Sequence, residues 1–229
     1  ELKMPAKPDA LFKIASISKL YVAVAITKLA NNNQLSLDKT VAHYFPELVG
    51  RIENAAEITL RMMVQHRSGI PNFTDNPDFW KNQPNTNIDV LTYAIDLPAS
   101  FEPNKDYGYS NTNYLLLSRV IEKVTGANRQ DYFKKEILIP LGLKNTYGSI
   151  EEVNLDDVMS GYYVGIDKDF KNENNGMMIA TAQDVGIFLR ALNDGTLLND
   201  KEMEIYKSIY EFNHGGLAPG YQCMAEYHK

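Results

Sequence analysis

Two stretches of this chain place a lysine three residues after a serine, "SISK" at 16–19 and "SLDK" at 36–39. A serine hydroxyl is a poor nucleophile until a neighbour takes its proton, and a lysine held neutral by burial or by cationic neighbours can do so. On a helix that spacing puts both side chains on one face. The second copy follows the turn "NNNQ" and carries Asp38 beside Lys39, so it reads as a solvated surface turn. The first opens an apolar run that includes Leu20, Val22, Val24, Ile26 and Leu29. Such a run draws Lys19 inward, where an ammonium either pairs or has its pKa lowered. The competing reading makes Ser16 a helix N-cap and Lys19 an ordinary lysine.

Two other clusters hold groups of the right kind. In "YGYSNTNY", residues 107–114, Tyr109 can act as a base if cations favour its phenolate, and Asn111 can donate to a substrate carbonyl or hold the lysine. The plain alternative is a polar turn with Asn111 as a helix cap. In "NHGGLAPGY", residues 213–221, Gly215 and Gly216 allow close approach to the backbone, and a strand edge there can offer an N–H to an oxyanion. His214 adds a positive or hydrogen-bonding group; a glycine-rich hairpin with a partly exposed histidine is the alternative.

The elements expected to position these groups are mostly helical. The run from 16 to about 31 suits a helix buried on most faces. "TLRMMVQH" reads as a short helix capped by Thr59 and stopped by "RSGIP". Residues 72–87 read as a long loop around Phe79 and Trp80, which with Phe73 could wall a substrate cleft or anchor the loop. Helices are expected at about 88–97, at 111–125 closed by Gly126, and at 128–138 ending before "PLGL". "TAQD" at 181–184 has the form of a capping box, with Asp184 as its partner, opening a helix through Leu192. Strands are expected at "GYYVGI", 161–166, and "SIYEFNHGG", 208–216. His66, at a helix end, reads as structural with Ser68 and Gly69 shaping its turn, and Met177 and Met178 read as core fillers.

Composition narrows the classes. The chain has 229 residues, 23 basic against 29 acidic, and a formal net charge of −6, with the basic residues scattered. That argues against nucleic acid as the main partner and leaves a small-molecule or membrane-proximal substrate open. One cysteine, Cys223, excludes an intrachain disulfide and a cysteine-built zinc cluster, and leaves the redox compartment undetermined. His43, His66, His214 and His228 lack ligand spacing, so no metal and no cofactor are expected. There is no long apolar run to span a membrane, and "ELKMPAKPDA" does not have the form of a signal peptide, though a processed start reads the same way.

In this order, "SISK", "YSN" and "HGG" resemble the three active-site motifs of the serine beta-lactamase-like and penicillin-binding family, which includes class C beta-lactamases, DD-carboxypeptidases, D-aminopeptidases and esterases. "LSLDKTVAHYFPEL", "ITLRMMVQHRSGIPNF", "ILIPLGLKNT" and "TAQDVGIFLRALNDG" look like its connecting segments. The resemblance implies an α/β (α+β) fold: an antiparallel sheet flanked by helices, plus an all-helical region made largely from 30–180. It also implies that Ser16 forms an acyl-enzyme with Lys19 as base, and that Tyr109 acts as base or acid. Asn111 would bind the substrate amide and help hold Lys19, His214 would contact the substrate or Tyr109, and the strand through Gly215 and Gly216 would supply an oxyanion donor beside the Ser16 N–H. The reaction implied is hydrolysis of a D-Ala-D-Ala type peptide, a beta-lactam or a small ester. A non-catalytic penicillin-binding or sensor protein is the alternative.

The family's usual strands before the nucleophile, and its strands and helix after the third motif, are not in view. A single catalytic domain over 1–229 is therefore expected to be completed by missing segments or a second chain. A periplasmic, secreted or envelope location is suggested only by the resemblance.

Overall fold

The computed structural model describes residues 7, 9–81, 89–173 and 176–228. Along it run β1 (Leu11–Lys13), a 3-10 turn (Ala15–Ile17), α1 (Ser18–Asn31), α2 (Val41–Tyr44), α3 (Leu60–Val64), α4 (Pro77–Lys81) and α5 (Asn111–Thr125). There follow α6 (Arg129–Phe133), α7 (Ile139–Leu141), β2 (Thr146–Tyr147), β3 (Ile179–Thr181), α8 (Ala182–Asn193), α9 (Asp200–Ile209), β4 (His214–Ala218) and β5 (Tyr221–Ala225). The strands pair antiparallel in two sheets, one ordered β1-β3-β2 and one the hairpin β4-β5. This is the mixed α/β architecture with antiparallel sheet that the sequence implies.

The chain divides into two compact units, residues 1–24, 130–204 and 211–229 in one, and 25–129 with 205–210 in the other. The first carries every strand. β1 pairs with β3 in the register Leu11 to Thr181 and Lys13 to Ile179, and β2 lines the other edge of β3. Leu11, Ile150, Val158 and Ile179 form one buried cluster with Tyr147 and Val153 against it, and Ala15, Ala218 and Tyr221 form another with Phe170 and Met177. Tyr21 stacks on Phe188 at 3.8 Å, a large apolar contact that joins the start of α1 to α8.

The second unit is helical among its described residues. α3 packs on α5 through fully buried Leu60, Met63, Leu116 and Val120. Thr59 caps α3 by accepting from the Met62 N–H, and α5 closes at Gly126, whose φ of 65° is the left-handed conformation glycine adopts without strain. Both ends are where the sequence puts them.

Several expectations are corrected. The all-helical region is narrower than 30–180, because residues 130–204 group with the strands and supply β2 and β3. The helix expected at 88–97 is a 3-10 turn, Val90–Tyr93; the start of that segment, like 82–87 of the expected long loop, lies outside the described residues. The rest of that loop holds a 3-10 turn and α4. The helix expected to end before Pro140 continues through a π-helical turn at Lys134–Leu138 into α7 and stops at Gly142, φ 66°.

"GYYVGI" forms only the bridge Tyr163 to Ile166, because its aromatic and β-branched residues have no partner strand among the described residues and stand exposed. "SIYEFNHGG" divides: Ser208 and Ile209 end α9, and β4 begins at His214. The missed signal for α9 is a reciprocal cap, Asn199 Oδ1 accepting from the Glu202 N–H while Glu202 Oε2 accepts from the Asn199 N–H. At "TAQD", Thr181 accepts from the Asp184 N–H, but the Asp184 carboxylate turns away to accept from the Asn145 N–H at 2.8 Å and the Thr146 hydroxyl at 2.9 Å.

Candidate active site

In the first unit the site grows from the end of β1. The Ile14 N–H donates to the Met178 carbonyl, so β1 stays tied down up to the residue before the turn. Ala15 then takes a φ of 45°, which side-chain-bearing residues adopt at a cost, and the chain swings into the 3-10 turn that carries Ser16. Ser16 is therefore not the N-cap of α1: the helix begins at Ser18, and the Ser16 hydroxyl accepts from Lys19 Nζ at 3.0 Å. The competing cap reading falls on that geometry. Lys19 is 6% exposed, and burial lowers its ammonium pKa to about 7.

β4 lies against this turn. A Cβ added at Gly216 would stand 2.8 Å from the Ile14 carbonyl oxygen and 3.2 Å from the Ala15 Cβ, so only glycine lets the strand come so near. The glycine thus admits the nucleophile's own backbone, where the sequence suggested approach by a ligand. Gly215, one residue earlier, is open: its added Cβ would meet only the Cys223 carbonyl, at 3.9 Å.

The hairpin closes on Ala218 and Tyr221 with a two-residue turn, pairing Gly216 with Cys223 and His214 with Ala225. By the alternation of an antiparallel ladder, the N–H groups of Gly215 and Leu217 point to the edge away from β5. No aromatic strand leads into His214, contrary to expectation. The hairpin half of the alternative reading is what is found.

His214 Nδ1 donates to the Gly215 carbonyl, and Nε2 lies 3.6 Å from Glu211 Oε1. Burial is the main cause that pushes its pKa below the ordinary imidazole value, with Lys19 adding in the same direction; the Gly215 and Glu211 oxygens oppose them. Burial thus works against the positive form of His214, while its Nδ1 is engaged in a hydrogen bond. Lys13, not singled out from the sequence, is 2% exposed and donates to the Phe170 and Glu173 carbonyls at 2.8 and 2.7 Å. Its backbone carbonyl accepts from the Cys223 thiol. Together these bonds tie β1 to β5 and to the 170–173 turn beside the nucleophile.

Tyr109 and Asn111 belong to the second unit. Ser110 is the N-cap of α5 and Asn111 its first residue, so Asn111 is not the cap. Its backbone N–H donates to Asn72 Oδ1, and its side-chain Nδ2 donates to Asn72 Oδ1 at 3.2 Å and Thr74 Oγ1 at 3.3 Å. Both amide hydrogens are thereby committed to this segment. Ser68 and Asn113 are hydrogen-bonded at 2.7 Å beneath α5. Tyr109 is 37% exposed and lies on the His66 ring at 4.4 Å and 28°. Phe73 and Phe79 pack at 5.0 Å, with the Trp80 indole N–H donating to the Thr74 carbonyl, so these aromatics hold the segment that carries Asn72 and Thr74. No sequence signal marked those two residues, since they meet Asn111 from 37 to 39 positions away.

No helix among the described residues is long and apolar enough to cross a membrane, and none of their His, Cys, Asp and Glu residues gather in a group that could hold a metal ion.

The chain matches the beta-lactamase family model over residues 1–219. It is 33% identical over 148 residues to penicillin-binding protein 4* of Bacillus subtilis (strain 168), a match covering 63% of this chain and 32% of that protein. The chain thus spans about a third of the length of that curated relative. Among solved structures, a D-stereospecific amidohydrolase from Streptomyces sp. superposes with a TM-score of 0.74 at 26% identity, covering 86% of this chain and 64% of that one. A D-amino acid amidase from Ochrobactrum anthropi SV3 gives 0.74 at 27% identity, covering 89% and 60%. The ordered motifs, the antiparallel sheets with their helices, and a family match over nearly the whole sequence lead to one conclusion: the chain belongs to the beta-lactamase family.

Proposed function

We propose that this protein is a serine hydrolase that works through an acyl-enzyme on an amide or ester, with Ser16 as nucleophile and Lys19 as its base. One observation carries the reading: Lys19 Nζ lies 3.0 Å from Ser16 Oγ while burial lowers its pKa to about 7. A neutral lysine within hydrogen-bond reach can take the hydroxyl proton as Oγ bonds to the substrate carbonyl. The oxyanion that forms is met by the N–H of Ser16 and an N–H from the outer edge of β4. The register favours Leu217 over Gly216 for that second donor, because Gly216 faces β5.

Tyr109 then delivers a proton to the departing amine or alcohol as its bond to the acyl carbon breaks. The phenolate left behind takes a proton from the water that attacks the ester on Ser16, and as the acyl product departs Lys19 returns its proton to Ser16 Oγ. Asn111 binds the substrate's amide. The chemistry calls for no metal and no cofactor.

His214 supports a narrower substrate class. Burial disfavours the imidazolium that would attract a free carboxylate, which favours uncharged amides and esters over acyl acceptors that end in a carboxylate. The two amide-cleaving relatives point the same way, so the amide of a D-amino acid is the substrate class proposed first.

A panel of D-phenylalanine amide, 4-nitrophenyl acetate and a penicillin, each followed by intact mass, tests the proposal. Turnover that disappears in Ser16→Ala is the expected result. Undiminished turnover in that variant refutes the assignment of the nucleophile. A stable penicillin adduct on Ser16 without turnover of any of the three identifies a penicillin-binding or sensor protein instead.

A further inference from the structure

Tyr109 is held at three points by one residue. The Gly108 N–H donates to the His66 backbone carbonyl at 2.9 Å, and the Ser110 N–H donates to His66 Nδ1 at 3.1 Å, so both neighbours of Tyr109 are fastened to His66. Between them the Tyr109 ring lies on the imidazole at 4.4 Å and 28°. On the other side of this arrangement His66 is itself fixed: it is 3% exposed, and its ring lies 5.1 Å from that of Tyr114, whose hydroxyl donates to the Val64 carbonyl. His66 reaches both hydrogen bonds only because its backbone takes a φ of 56°, an uncommon conformation for a residue with a side chain.

An imidazole nitrogen that accepts from a backbone N–H carries no proton, so the Ser110 bond also sets the tautomer. Packing alone would explain a buried aromatic ring at this place. It would not call for an acceptor at Nδ1, a strained backbone and a flat stack on the half-exposed Tyr109 ring.

We infer that His66 is the positioning residue for Tyr109, fixing the phenol's place and orientation through the Ser110 bond, the Gly108 bond and the ring stack. Its effect on turnover rests on the acyl-transfer reading above, in which Tyr109 moves the proton; the geometric part does not. A proton donor loses rate steeply when its geometry loosens, because the transfer needs hydrogen-bond distance at the transition state.

Two variants separate this role from simple space filling. His66→Leu keeps an apolar side chain and removes the acceptor. His66→Asn places an amide oxygen near the position of Nδ1 and tolerates the positive φ. Each is made in the parent and in Tyr109→Phe, with turnover read on D-phenylalanine amide and 4-nitrophenyl acetate. The NMR resonance of a 13C-labelled Tyr109 ring is followed alongside.

His66→Leu is expected to lower kcat by about 100-fold with KM within about threefold, and His66→Asn to recover most of that loss. In Tyr109→Phe the leucine change is expected to cost less than about twofold, since nothing is left for it to position. The Tyr109 resonance moves in His66→Leu and returns toward the parent in His66→Asn. Equal losses in the two variants, a full loss that persists in Tyr109→Phe, or an unmoved resonance overturns the inference. If the parent turns over neither probe, the acyl-transfer reading is what fails, and the resonance still decides whether His66 holds Tyr109.

Discussion

At Lys19 the cost of burying an ammonium emerges as a pKa of about 7, which puts the proposed base's titration where assays are run. A base must be neutral to accept a proton, so kcat/KM is expected to rise with pH through an acidic limb near 7 and to level above it. A pH profile on 4-nitrophenyl acetate checks this; a limb near 10 would place Lys19 in a solvated setting. Lys19→Met is expected to lower turnover by about 10²- to 10⁴-fold. Gly216 gives a second prediction at this scale. In Gly216→Ala the new methyl would meet the Ile14 carbonyl at 2.8 Å, and backbone on both sides cannot give way cheaply. The variant is expected to lose about 1–3 kcal/mol of stability in urea unfolding and most of its rate of Ser16 acylation. Equal stability and rate would mean that β4 stands off the nucleophile turn.

Among the elements, β2 and α8 are joined by a carboxylate. Asp184 is 4% exposed and accepts from the Asn145 N–H and the Thr146 hydroxyl, so its removal leaves two donors unsatisfied beside β3. Asp184→Ala is expected to cost about 2–3 kcal/mol, and Asp184→Asn less, because an amide oxygen in the place of Oδ2 still accepts from both donors. Chemical unfolding compares the two; equal losses would count against the hydrogen-bond account. The sequence pattern "TAQD" marks the helix start correctly, since a threonine cap is a local interaction with its own chain. It does not reveal where the aspartate goes, because Asn145 and Thr146 arrive from 39 and 38 positions away. The same distinction explains "SIYEFNHGG": strand-forming residue types run across a helix end and a strand start, and the neighbours of each decide which is which.

For the molecule as a whole, buried titratable groups set the pH dependence of stability. Lys19 has its pKa lowered from the ordinary lysine value to about 7 on folding. Between those two values the unfolded chain binds more protons than the folded one, so stability rises with pH across that window; below about 7 both states are protonated and this group adds no further change. The slope from Lys19 alone is at most about 1.4 kcal/mol per pH unit. Lys13, lowered chiefly by burial, adds in the same direction. The phenols of Tyr21 and Tyr114 oppose them at high pH: burial raises both, so unfolded tyrosines lose their protons first and stability falls above about pH 10. Urea midpoints measured at intervals from pH 6 to 11 are expected to climb from neutrality, pass a maximum near 9–10 and then decline. A monotonic fall from pH 7 would contradict the buried, lowered lysine.

By itself the sequence determined what local physics encodes: the serine and lysine three residues apart, the apolar run that follows them, the Thr59 cap, the Gly126 stop, and each of the three short motifs. Each rests on residues within a few positions of one another. The tertiary structure decided what depends on distant partners. Ala15 holds a positive φ and Gly216 admits the turn where β4 comes against the end of β1. Lys19 loses proton affinity because apolar side chains from many positions exclude water. His66 and the segment around Tyr109 meet 44 positions apart, through a backbone bend that no short window of sequence specifies. Spacing can bring two groups to one face of a helix, but the dielectric around them and the strand that passes beside them are properties of the folded packing.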